Sequence, residues 1–128
     1  MALSQLSEGR PLMATRNYTS ADTTTAQQIL AALAADARID SIILTSNDTV
    51  DRIIDIFYHT SLNVSLGSVN VPAGAGYAGV APVQFMTGAW FTQQGGLVLR
   101  AGDSMQGAME STITAAKTIQ ILLLGGYF

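Results

Sequence analysis

Residues 38–60 read RIDSIILTSNDTVDRIIDIFYHT, and this stretch decides the fold class. Two runs rich in β-branched residues flank the turn-forming cluster SNDT at residues 46–49, a pattern that predicts a β-hairpin. In the second run Ile54, Ile56 and Tyr58 would share one face of a strand. A helical stripe through the same run is also possible, but the density of Ile and Thr favours strands.

The next segment, LNVSLGSVNVP at residues 62–72, predicts a strand with a change of face. Its apolar residues alternate in one phase up to Leu66 and in the opposite phase from Val69. The phase changes at Gly67, and a strand whose inward face switches at a glycine is typical of a β-bulge or a corner.

The whole chain shows the same pattern of short strands and turns. Further strands are predicted over residues 24–30, 97–99, 104–113 and 118–124. About eight strands with turn clusters at intervals of roughly ten residues indicate an all-β protein, an antiparallel β-sandwich of the jelly-roll type. We expect one sandwich domain over residues 15–128.

Residues 1–14 are predicted to be an extended N-terminal arm, because they show little periodicity. Leu3, Leu6, Leu12 and Met13 would give this arm apolar anchors. An arm with anchors and no partner element is expected to pack on a neighbouring subunit; the alternative is a frayed terminus.

The composition limits the classes of function. Charged residues make up 12% of the chain, about half of the usual share of roughly 25%. Such a weakly charged surface indicates either permanent assembly or a surface rich in Ser and Thr. The net charge is −3 with scattered basic residues, which argues against binding to nucleic acid. The longest apolar run, residues 121–124, is far shorter than the roughly 20 residues of a membrane span, so no membrane partner is expected.

The run GAGYAG at residues 74–79 has the letters of a dinucleotide-binding fingerprint. That fingerprint requires a helix that begins at the glycines and an acidic residue about 20 positions further on. Pro82 and three later glycines oppose a helix, and the nearest acidic residue, Asp103, lies behind a short strand. We therefore interpret the run as a loop of small residues between strands. Its one large side chain, Tyr77, would be a contact anchor, unless the loop is simply a flexible surface loop.

Catalytic and metal sites are not predicted. The residues around Asp103 and Ser104 are similar to the start of a serine-esterase motif, but a serine nucleophile needs a base within hydrogen-bond reach. The single histidine, His59, lies in an apolar strand. Asp51 and Asp55 have the pattern of a solvated rim, and no residues have the spacing of metal ligands. We expect no catalytic residues, no metal and no cofactor.

The remaining candidate is a protein interface, since aromatic residues and Met on loops and chain ends are frequent interface anchors. Met86, Trp90 and Phe91 fall between turn signals, and Tyr127 and Phe128 follow two glycines. The alternative is that these side chains cap the open ends of the sandwich.

Five blocks of the sequence resemble small virion proteins of tailed bacteriophages and prophages. They are TSADTTTAQQIL, RIDSIILTSNDTVDRIIDIFYHT, LGSVNVPAGAG, LVLRAGDSMQGAME and AAKTIQILLLGGYF. The resemblance covers residues 19–128, and it rests on the succession of the blocks rather than on any single one. It does not extend to residues 31–37 or to the N-terminal arm.

The resemblance implies a non-enzymatic structural protein of the capsid cement or decoration type. Such a protein would be made in the host cytoplasm and would lie on the outer capsid surface of the virion. Its expected partners are the major capsid protein and itself, as a homodimer or homotrimer. The alternatives are a tail adaptor or fibre-associated protein and, less favoured, a small carbohydrate-binding module or esterase.

Overall fold

The computed structural model describes residues 10–87 and 96–128, and these ranges contain nine β-strands and two short 3₁₀ helices. The strands are β1 (Pro11–Tyr18), β2 (Gln27–Leu30), β3 (Ala37–Ser46), β4 (Arg52–His59), β5 (Asn63–Val71), β6 (Val83–Gln84), β7 (Leu97–Leu99), β8 (Ser104–Met109) and β9 (Ile119–Tyr127). The 3₁₀ helices cover Ser20–Asp22 and Phe85–Thr87.

The strands form two sheets, and every pairing is antiparallel. Sheet A has the order β1-β9-β3-β6, and β7 also pairs with β3. Sheet B has the order β2-β8-β4-β5. The predicted all-β antiparallel sandwich is confirmed.

The core lies between the sheets and follows the two-residue period of the strands. In β4, Ile54 and Ile56 are buried as predicted, and Tyr58 packs against the core. The facing strands of sheet A bury a matching set of apolar side chains. These are Leu12 and Tyr18 of β1, Ile39, Ile42 and Leu44 of β3, and Ile119, Ile121 and Leu123 of β9.

The predicted hairpin over residues 38–60 is wrong, although both of its strands exist. Strand β3 belongs to sheet A and β4 to sheet B, so residues 47–51 cross from one sheet to the other. The turn cluster correctly marks the end of the first strand. It does not determine which sheet the second strand joins, because that depends on partners elsewhere in the chain.

The predicted boundary of the N-terminal arm at residue 14 is also wrong. Strand β1 begins at Pro11 and pairs with β9 along its whole length. Its partner comes from the other end of the sequence, so local patterns did not indicate this strand. Leu3 and Leu6 lie outside the described residues.

The predicted bulge in β5 is confirmed. Ile56 pairs with Gly67 and Phe57 pairs with Ser65, so Leu66 is the extra residue. Gly67 has a φ of +136°, a value that glycine adopts more readily than residues with a Cβ. The bulge therefore explains why the apolar phase of the sequence changes at this glycine.

Tyr18 gives a first testable prediction, because its buried hydroxyl joins the two sheets. The hydroxyl donates to the carbonyl oxygens of Gly107 at 2.9 Å and Gln27 at 3.2 Å. Burial raises the pKa of Tyr18 to about 12, an effect that Arg16 only partly opposes. Since the folded state holds this proton more tightly, the stabilisation is complete below about pH 10 and is lost as the pH rises towards 12.

We expect Tyr18→Phe to lower the free energy of unfolding by about 1–3 kcal/mol at pH 7, because the buried Gly107 carbonyl and the half-buried Gln27 carbonyl lose the donor that they share. The difference between wild type and variant should shrink between pH 10 and 12. Urea unfolding of both proteins at pH 10 and at pH 12 measures this difference in the free energy of unfolding. Tyr77→Phe, in an exposed loop, is the control and should leave the stability at pH 7 unchanged. A constant difference across the pH range would contradict the assignment.

Candidate protein interface

The glycine loop at residues 72–80 is held against the β3–β4 connection by backbone hydrogen bonds. The Ser46 amide donates to the Ala75 carbonyl at 2.9 Å, and the Gly74 amide donates to the Asp48 carbonyl at 3.2 Å. Gly76 has a φ of +87°, and a Cβ there would lie 2.7 Å from Cγ2 of Thr45. Gly76 therefore allows close packing against Thr45, whereas Gly74 and Gly79 supply positive φ angles of +74° and +85° in open space. No helix begins at these glycines.

Tyr77 projects from this loop and is 46% exposed. Its amide donates to the Gly74 carbonyl at 2.8 Å and its carbonyl accepts from the Val80 amide at 2.9 Å. The side chain is thus presented by a hydrogen-bonded loop. Its predicted role as a contact anchor stays a prediction.

Asp48 organises the same end of the sandwich. From the sequence, this residue was identified only as part of a turn. Its side chain is fully buried and accepts from Nε of Arg52 at 2.9 Å. It also accepts from the Thr114 hydroxyl at 2.7 Å and the Thr49 amide at 2.6 Å. Arg52 in turn donates to the hydroxyl of Ser111. These hydrogen bonds join the β3–β4 connection to the segment between β8 and β9.

The esterase candidates meet at the opposite end of the sandwich without forming a relay. His59 and Ser104 are partners across β4 and β8. However, Nδ1 of His59 lies 2.7 Å from Oδ1 of Asn63. Asp103 instead accepts from the hydroxyl of Tyr58 at 2.5 Å, and Ser104 is only 3% exposed. The arrangement stabilises a strand end and does not present a nucleophile.

The outer face of sheet B carries a second polar cluster. Asp55 accepts from the Ser68 hydroxyl at 2.5 Å. A hydrogen bond with Asp55 raises the pKa of Glu110. Within residues 10–87 and 96–128, no group of three or more His, Asp or Glu side chains could hold a metal ion. In the same ranges, no helix is long and apolar enough to cross a membrane.

The outer face of sheet A differs, because its middle and one end carry only uncharged side chains; the exposed Arg38–Asp40 ion pair of β3 borders this region at the other end. Cross-strand pairing arranges the uncharged side chains in three rows. The rows are Met13–Leu124–Ser41, Thr15–Leu122–Ile43 and Asn17–Gln120–Thr45, and together they are called outer face A. Two of these rows border a groove of about 470 Å³.

Outer face A was missed by sequence reasoning, although a signal for it exists. The runs IIL at residues 42–44 and ILLL at residues 121–124 are apolar at successive positions. A strand with one solvated face alternates, whereas a continuous apolar run is typical of a strand covered on both faces. Ile43 and Leu122 are the outward members of these runs.

The predicted interface residues within the described part of the chain do not form one surface. Leu12 and Met86 are buried in the core, so neither is available for an interface. Leu12 occupies an inward position of β1, and Met86 follows β6 in a 3₁₀ turn. Tyr127 is half-buried, with the guanidinium of Arg10 4.8 Å from its ring centre.

Three predicted residues are exposed at separate places. Met13 lies on outer face A, Tyr77 on the glycine loop, and Phe128 at the opposite end of the sandwich. Trp90 and Phe91 lie outside the described residues. No family model matches the chain, and no curated protein or solved structure is significantly similar to it.

Proposed function

We propose that this chain is a non-enzymatic virion structural protein that binds the major capsid protein of a tailed bacteriophage and stabilises the shell from outside. The order of the sequence blocks supports this proposal. The antiparallel sandwich also supports it, because Asp48, His59 and Asp103 are each hydrogen-bonded to a neighbouring side chain.

The strand order supports a jelly roll as the finer description of the sandwich. The first and last strands pair in sheet A, and strands β1 to β4 alternate between the two sheets. Two interleaved four-stranded units, β1-β9-β3-β6 and β2-β8-β4-β5, face each other. This arrangement agrees with the double Greek key of jelly rolls, a fold that occurs in viral capsids.

Outer face A is the single observation that carries the proposal. Its rows contain Met13, Ile43, Leu122 and Leu124 among uncharged polar residues. Burial of apolar surface contributes about 25 cal/mol for each Å², so a patch of this kind would give a few kcal/mol per contact. Many copies on one shell would multiply that effect through avidity.

The absence of charged side chains from the three rows of outer face A indicates the chemistry of its partner. A surface without charged side chains does not attract phosphates or steer a charged ligand. It fits an uncharged, partly apolar protein surface. Binding to capsids should therefore change little between low and high salt.

A binding experiment with heads assembled without this protein tests the proposal. Wild type should cosediment with the heads and raise the temperature at which they burst. Leu122→Lys, at the centre of outer face A, and Met13→Lys, at an exposed position that the fold tolerates, should each weaken binding at least tenfold. An ammonium group buried in an apolar contact is costly unless it is paired.

Leu62→Lys is the matched control, since Leu62 is exposed on the β4–β5 connection, away from outer face A. It should bind like wild type. Equal binding and equal protection of the heads by all three variants would overturn the proposal. Stoichiometry in purified particles distinguishes the locations: hundreds of copies fit a capsid protein, and about a dozen would favour a tail part.

A further inference from the structure

We infer that outer face A receives an extended, uncharged peptide segment, which lies across the strands. Its main-chain amides face one wall of the groove, and an apolar side chain faces the other. The segment belongs to the capsid protein named in the proposed function, on which this inference rests. What is added is the part of the partner that the site recognises.

The groove of about 470 Å³ on outer face A has two chemically different walls. The Thr15–Leu122–Ile43 row forms a mainly apolar wall, and the Asn17–Gln120–Thr45 row forms a wall of two carboxamides and a hydroxyl. Side chains on one face of a strand repeat every two residues, so the rows lie about 7 Å apart. The groove therefore runs across β1, β9 and β3 with unlike groups on its two sides.

The polar wall has hydrogen-bonding groups that the protein does not use. Within the described part of the chain, the side chains of Asn17, Gln120 and Thr45 make no hydrogen bond. On sheet B, by contrast, the side chain of Asn63 bonds that of His59. A row of such groups beside an apolar wall can be satisfied by a ligand that is itself both polar and apolar.

The carboxamides of Asn17 and Gln120 match the chemistry of a peptide main chain. Each carries N–H donors and a C=O acceptor, the same two kinds of group that every peptide unit presents. Neighbouring strands lie about 4.8 Å apart, so a row over three strands is about 10 Å long. Three residues in extended conformation span that length. An extended peptide therefore fits the polar wall in both chemistry and length.

The surroundings of the groove favour an uncharged peptide over other ligands. The three rows of outer face A contain no charged side chain, so an ionic group on the segment would have no counter-charge there. The same rows contain no aromatic ring on which a sugar could stack. The glycine loop borders the groove at β3, because Gly76 packs against Thr45.

Gln120→Met and Asn17→Leu test the inference, because they nearly keep the side-chain size and remove the hydrogen-bonding groups. Each should weaken binding to heads assembled without this protein at least tenfold, since a buried peptide group of the segment loses its partner. If outer face A acted through apolar area alone, both variants would bind at least as well as wild type. Gln28→Met, at an exposed position of sheet B, is the matched control and should bind like wild type. Circular dichroism and thermal unfolding verify that each variant folds.

Hydrogen exchange of the capsid protein on these heads locates the segment. Wild type should protect one short stretch of amides, and Gln120→Met at the same concentration should not. If Gln120→Met and Asn17→Leu bind like wild type while Leu122→Lys does not, the inference is overturned and the proposed function stands. Equal binding by Leu122→Lys would overturn both. Binding of wild type to a glycan array, abolished by Gln120→Met, would assign the groove to a glycan and overturn the peptide assignment.

Discussion

Replacing Asp48 with alanine is expected to lower the free energy of unfolding by about 3–5 kcal/mol, because it leaves a partly buried guanidinium without its anion. Arg52 is only 12% exposed and loses its carboxylate partner. The Thr114 amide and hydroxyl also lose their acceptor. The side chain and backbone of Asp48 join three segments, residues 47–51, 72–80 and 110–118. The packing of these segments should therefore loosen together.

Urea unfolding of Asp48→Ala measures the effect, and Asp40→Ala is the matched control. Asp40 accepts from Nε of Arg38 at 2.8 Å, nearly the distance between Arg52 and Asp48. In this pair, however, both the Arg38 and the Asp40 side chains are solvent-exposed. Exposed pairs contribute about 0–1 kcal/mol. Similar losses in the two variants would contradict the role assigned to burial.

The pH dependence of stability provides an independent test of Asp48. Burial alone would raise its pKa, but hydrogen bonds from Thr114, Arg52 and Thr49 outweigh burial and hold the pKa far below its usual range. A lowered pKa in the folded state means that the stabilisation is complete above the unfolded pKa of about 4 and is lost as the pH falls below it. Asp48→Asn should therefore show a shallower loss of stability between pH 5 and 2 than wild type.

Gly125→Ala should destabilise the sandwich by about 3 kcal/mol or more, because the new methyl group has no space. A Cβ at Gly125 would overlap the carbonyl oxygen of Arg38 and lie 3.0 Å from Cα of Ile39. These are backbone atoms of β3, next to the register shift between Ile39 and Ser41. Relief would require the central strands of sheet A to separate.

The neighbouring glycine provides the control for this prediction. A Cβ at Gly126 would meet nothing closer than the Arg10 carbonyl oxygen at 3.7 Å, an ordinary contact. Both glycines belong to β9, so both substitutions change the conformational entropy of the unfolded chain alike. Gly126→Ala should change the stability by less than about 1 kcal/mol. Equal thermal shifts in the two variants would show that close approach to β3 is not the cause.

Local sequence patterns predicted several elements because their causes are local. The alternation of Ile54 and Ile56 reflects a strand with one buried face, and both residues are buried. The phase change at Gly67 reflects a bulge within a single strand. The glycine run at residues 74–79 forms a loop between β5 and β6, as predicted.

Other predictions failed because they depended on distant parts of the chain. Strand β1 is recognised only by its pairing with β9, which lies more than a hundred positions away in the sequence. Leu12 and Met86 have the residue types of interface anchors, yet their positions point them into the core. A residue type indicates what a side chain can do, and its position in the fold decides where it does so.

The sequence alone determined that this chain forms short strands, where most of them lie, where β5 bulges, and that charge is scarce. Those properties follow from side-chain alternation and turn chemistry within a few residues. Only the tertiary structure decided which sheet each strand joins, and so it placed Ile43, Leu122 and Thr15 in one uncharged row and left β5 at an edge. Strand pairing is set by contacts between distant segments, and surfaces exist only once that pairing is complete.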